Sequence, residues 1–160
     1  MEKIMLSEHF SLAEMTKTKY KLDNTPTVEV TANLKNICEN WLEDLRYSYN
    51  RLYVLDADED YGTSENTEGI VINCGYRSKE VNKAAGGVWN SNHLTGCAVD
   101  IRACGPDQAL RYMNILLDIS DGTKRLFDEM ILERQKGIYW VHFAVRPKNN
   151  RRKINFILKN

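Results

Sequence analysis

A chain of 160 residues with 42% hydrophobic and 28% charged residues has the size and make-up of one soluble domain with a full core, residues 1–160. Its 22 Lys and Arg balance 22 Asp and Glu, so no charge excess points to nucleic acid. The one basic run, Lys148 to Lys153, reads as a solvated turn that can also draw the protein toward an anionic polymer. No apolar run approaches the roughly 18 to 20 residues of a membrane span, and the start MEKIMLSEHF has no signal pattern, so cytoplasmic synthesis without self-directed export is expected.

In chain order, Ser11 and Glu14 have the spacing of a capping box, which predicts a short helix. Tyr20 to Val30 reads as a loop. Thr31 then opens the strongest helical period, with Leu34, Ile37, Cys38, Trp41, Leu42, Leu45 and Tyr49 along one face. Leu52, Val54 and Leu55 look strand-like. Asp56 to Gly69 is acidic and poor in large apolar residues, which predicts an exposed loop or insertion; it lacks the ligand spacing of a calcium loop. Ile70 to Ile72 predicts a short buried strand, and Ser78 caps a short helix that stops at Gly86–Gly87.

A strand is expected at Ala98 to Ile101. A helix starts at Pro106, with Leu110, Met113, Leu116 and Leu117 as its apolar face. Ile154, Phe156 and Leu158 alternate in a final edge strand. Helices first and an antiparallel sheet dominating the second half make the fold class α+β. The cysteines Cys38, Cys74, Cys97 and Cys104 form no CxxC pair, so reduced thiols are expected.

Between Phe127 and Val145 two β-like runs flank Lys136–Gly137. A two-residue turn there pairs Gln135 with Ile138, Arg134 with Tyr139 and Glu133 with Trp140, and it puts Glu133, Trp140 and His142 on one side. Upstream, His93 and Asp100 are separated by six residues that include the small Gly96 and Ala98, and Arg77 sits in a polar turn. Two histidines (His93, His142) and Asp100 form a ligand set that suits a catalytic zinc with an open position. In that register Glu133 stands beside a histidine ligand, as a general base would. Spacing alone leaves open that the histidines are ordinary loop and sheet residues and that Glu133 pairs with Arg134 or Lys136 in solvent.

The residues GYRS at Gly75 to Ser78, Asn82, Gly86–Gly87, the pattern SxHxxGxAxD from Ser91 to Asp100, and Trp140-Val141-His142 together carry a resemblance. With FSLAEM near the start, Asn24 and the Leu34-to-Arg46 helix, the chain resembles the zinc D-alanyl-D-alanine carboxypeptidases and the related phage endolysin peptidases. These share a small metallopeptidase fold with hedgehog signalling domains. The resemblance implies N-terminal helices on a mainly antiparallel sheet and one zinc held by His93, Asp100 and His142. It assigns Arg77 and Ser91 to substrate binding and Glu133, with Arg77, to catalysis. It implies a monomer acting on peptidoglycan stem peptides or crosslinks, phage- or prophage-encoded and active at the bacterial wall. Several relatives place the catalytic acid three residues before the last histidine, where this chain has Tyr139, and Cys97 and the 56–69 stretch are unusual. Hedgehog domains illustrate the alternative, a zinc-binding module of the same fold without activity.

Overall fold

The apolar period around Leu34 builds the central scaffold of the computed structural model, which describes residues 2–160. The helix begins earlier than its apolar period suggests: α2 spans Val28–Ile37, because the Thr27 hydroxyl accepts the Val30 N–H and caps it. A π-helical turn, Cys38–Leu42, joins it without a break to α3, Glu43–Tyr53. Leu52 therefore lies in a helix and Val54 ends it, which corrects the strand reading of that segment. The extra residue of the π turn lets Ile37, Cys38, Trp41, Leu42 and Leu45 all face the core. Before this unit, α1 spans Leu12–Thr16 with the expected Ser11 cap.

Residues 56–69 form an exposed run of turns, as their composition predicts. They are fastened to α3 through Asn50, which donates to the Glu68 carbonyl and accepts the Glu68 N–H. Strand β1 is Ile72–Cys74, two residues later than expected, and α4 is Lys79–Ala84, capped by Ser78. Strand β2 is Ala98–Ala103, and α5 is Pro106–Thr123. The buried face of α5 is Ala109, Tyr112, Met113 and Leu116, whereas Leu110 is 49% exposed. That part of the expected apolar face is rotated by one position, because Ala and Tyr take the core sites.

Strands β3, Glu129–Gln135, and β4, Ile138–Ala144, form the expected hairpin in the expected register. Lys136 and Gly137 both have positive φ (52° and 77°), the conformation that suits a two-residue turn to the right-handed twist of a hairpin. The sheet order is β1-β2-β4-β3-β5. Three pairings are antiparallel, while β5, Lys153–Leu158, is an edge strand that runs parallel to β3.

One face of the sheet carries Val99, Ile101, Met130, Leu132, Val141 and Phe143 into the helical core, where the Trp41 ring meets Phe143 edge-on at 5.1 Å. Strand alternation turns Asp100, Glu129, Ile131, Glu133, Trp140 and His142 to the opposite face. The four cysteines are free, and among the described residues no helix is long and apolar enough to cross a membrane.

Candidate metal centre

Asp100 and His142 are Cα partners across the β2–β4 ladder, and the 3-10 turn Asn92–Thr95 carries His93 to the same place. Ser91 caps that turn by accepting the His93 N–H at 3.2 Å, so its hydroxyl holds His93 in position at the rim of the cleft. Gly96 ends the turn with φ of 70°, and a Cβ there would stand 2.7 Å from the Val30 carbonyl oxygen of α2. A glycine is needed on both counts.

The ring orientations follow from the neighbours. His93 Nδ1 lies 2.6 Å from the Gly75 carbonyl oxygen, which can only accept, so Nδ1 carries the proton and Nε2 presents its lone pair. That Nε2 is buried without an aligned hydrogen-bond partner, 3.3 Å from Asp100 Oδ1. His142 Nδ1 approaches the same oxygen at 3.1 Å. Donors around a tetrahedral zinc, each about 2.0–2.1 Å from the ion, sit about 3.3 Å from one another. The two histidine–aspartate separations fit that spacing. The wider grouping is by overlapping trios whose donor atoms lie within 4.8 Å: Cys74, His93 and Asp100 on one side, Asp100, Glu133 and His142 on the other. Asp100 belongs to both, and the two imidazoles meet through it with ring centroids 5.1 Å apart.

Electrostatics agree with a site built for positive charge. Burial alone would raise the Asp100 carboxyl, but His93 and His142 outweigh it and hold Asp100 far below the usual carboxylate range. Burial pushes His93 down, and the Asp100 charge overrides this and holds it up. Burial likewise pushes His142 down, and its hydrogen bonds with Asp100 and Glu129 override this and hold it up. Glu133 behaves differently: burial and then the Asp100 charge push its carboxyl up, although Trp140 Nε1–H donates to its Oε2 at 2.6 Å. A carboxylate raised in this way holds a proton more readily than one in water.

Arg77 leaves the turn after β1, where its N–H donates to the His93 carbonyl. Asn24 ties that turn to α1, donating to the Thr16 and Tyr76 carbonyls and accepting the Ser78 N–H. Arg77 and Asp100 line both of two adjoining cavities. One, of about 590 Å³, extends toward Lys17, Lys19 and Tyr20; the other, of about 550 Å³, contains Ser91, His93, Glu133 and His142. The Arg77 Nε is buried with no hydrogen-bond partner.

All six residues singled out in the sequence thus border one cleft. Two others went unremarked: Glu129, whose Oε1 lies 3.2 Å from His142 Nε2, and Asp128, fully buried under Arg146 and Arg151. The hairpin register itself could have found Glu129, since it sits on the same face as Glu133, four residues earlier on the same strand.

A family model described as Peptidase M15 matches residues 8–129, more than half of the chain, and takes in His93 and Asp100. A search of curated proteins gives no match.

Proposed function

We propose that this chain, which belongs to the peptidase M15 family of metallopeptidases, is a zinc enzyme that hydrolyses peptide bonds in the stem peptides or crosslinks of peptidoglycan. His93 Nε2, Asp100 Oδ1 and His142 Nδ1 would hold the ion. Bound there, zinc supplies Lewis acidity and a water that ionises at roughly neutral pH. Glu133 accepts the proton of the attacking water and passes it to the leaving amine. Its hydrogen bond from Trp140 engages Oε2 and leaves Oε1 for that transfer. Arg77, at the junction of the two cavities, holds the substrate carbonyl and favours the negative charge that develops on it. Ser91 keeps His93 in place and borders the bound peptide.

The observation that carries this reading is the placement of the Glu133 carboxylate within 4.8 Å of the Asp100 and His142 donors. A base at this distance is what an inactive zinc module of the same fold does not need. A wall substrate rests on the sequence resemblance, and with it a phage or prophage origin. Digestion of purified peptidoglycan, with mass spectrometry of the released fragments, is the test. Zinc-dependent release of peptide fragments by the wild type is expected. Intact wall after prolonged digestion would rule out the wall substrate, and cleavage by the zinc-stripped protein would rule out the metal mechanism.

A further inference from the structure

We infer that Glu129 is a positioning residue for the metal centre, holding the His142 ring so that Nδ1 faces Asp100. This rests on the proposed metal site. Glu129 opens β3 and pairs with Ala144, while Ile131 pairs with His142, so Glu129 lies diagonally across the ladder from His142 on the same face. Diagonal neighbours of this kind are about 7–8 Å apart at the backbone, within reach of a long side chain. Glu129 spans that gap: Oε1 is 3.2 Å from His142 Nε2, and Oε2 is 3.4 Å from Lys153 Nζ. Lys153 is the Cα partner of Glu129 on β5, and the Glu129 side chain is only 16% exposed.

The chemistry gives the contact a direction. An ionised carboxylate only accepts, so the proton on the Glu129 side of the ring belongs to Nε2 and the lone pair is left on Nδ1. A ligating histidine commonly donates its other ring N–H in this way, and the partner holds both tautomer and ring angle. The geometry also separates two carboxylates that the sequence makes look alike. Glu129 and Glu133 stand on either side of Ile131, hence of His142, on one face of one strand. Glu133 groups with the metal-facing donors, whereas Glu129 touches the nitrogen on the far side of the ring. Glu129 is therefore placed to orient a ligand and not to take a proton from the attacking water.

The test measures zinc affinity by competition with a chromophoric chelator, and the His142 ring protons of the zinc-loaded protein by NMR. Glu129→Ala is expected to weaken zinc about 10- to 100-fold and to lose the slowly exchanging Nε2–H signal. Glu129→Gln keeps an acceptor oxygen and should recover most of both. Lys153→Met removes the other partner of Glu129 without touching His142, and it should leave zinc affinity within about twofold of wild type. Wild-type affinity in Glu129→Ala, or an equal loss in Lys153→Met, would overturn the inference, the second by making Glu129 half of a structural ion pair. Should Glu129→Ala fail to fold, an unprotected Nε2–H in zinc-loaded wild type would overturn it just as well. A wild type that binds no zinc would instead sink the proposed metal site on which the inference stands.

Discussion

Asp128 lies under Arg146 and Arg151 and accepts from Asn92, whereas Glu129, one residue on, belongs to a group of three carboxylates that share two histidines and one lysine. Both places are acidic, and they differ in supply of positive charge. At Asp128 each oxygen is met by fixed donors, including Arg151 Nε at 3.0 Å and the Arg151 N–H at 3.2 Å, and the side chain is fully buried. This carboxylate ties the start of β3 to the 146–151 loop and, through Asn92, to the turn that carries His93. At the other place Asp100, Glu129 and Glu133 share one cleft with Lys153 and Arg77, which leaves one negative charge when the imidazoles are neutral. The contrast teaches how to tell a structural acid from a candidate ligand site: the first is saturated by its own protein, the second keeps negative charge and imidazole nitrogens that its own cations do not match.

The contrast breaks most sharply at His93. Wild type is expected to bind one equivalent of zinc and His93→Ala none, by elemental analysis. Zinc should then raise the melting temperature of wild type and leave that of the mutant unchanged, because binding to the folded state alone is what stabilises. Full zinc retention would remove His93 from the ligand set.

Asp128→Ala should do the reverse. It removes a buried carboxylate that accepts from Asn92, Arg146 and Arg151, at a cost of about 3 kcal/mol and a melting temperature lowered by roughly 10 °C, while the folded protein keeps its zinc. Thermal unfolding with parallel metal analysis reads both, and a mutant that melts like wild type but sheds zinc would invert the two roles.

Next in size is Glu133→Gln, expected to slow wall-peptide hydrolysis about 100-fold with zinc content and melting temperature kept. Hydrolysis near the wild-type rate would place the base elsewhere.

The smallest effect is in acid. Burial opposes the shift, but Arg151, Asn92 and Arg146 hold the Asp128 carboxyl down at about 2, against 3.8 for an ordinary aspartate. The unfolded chain therefore takes up this proton first. Stability from Asp128 is present above about pH 4 and drains away as pH falls toward about 2, by about 2 kcal/mol. Denaturant titrations across that window should show the loss in wild type and a flatter profile in Asp128→Asn; equal slopes would mean the cluster does not bind its charge as drawn.

Much of the site was legible because it is written in short-range rules. Lys136–Gly137 suits a two-residue turn, and that turn sets which residues of β3 and β4 share a face, so Glu133 and His142 fall together from the sequence pattern alone. Glu129 obeys the same register and was readable in principle. Asp128 was not: its arginines arrive from a loop whose path depends on β5, and β5 pairs in parallel with β3. Alternation at Ile154, Phe156 and Leu158 marks a strand without saying which way it runs.

What the sequence determined by itself is the set of local choices: the Ser11 and Ser78 caps, the Pro106 helix start, the hairpin register and the motif residues of the M15 family. The caps, the helix start and the register each depend on hydrogen bonds or steric limits within a few residues, so a short stretch of chain carries the whole cause. Only the tertiary structure decided the helical fate of Leu52, the burial of Tyr112 in place of Leu110, the saturation of Asp128 and the approach of Glu129 to His142. These depend on which distant surfaces meet and on how charge is shared once water is excluded. A carboxylate one residue from another can therefore end as a strut or beside a candidate metal site, according to which cations reach it.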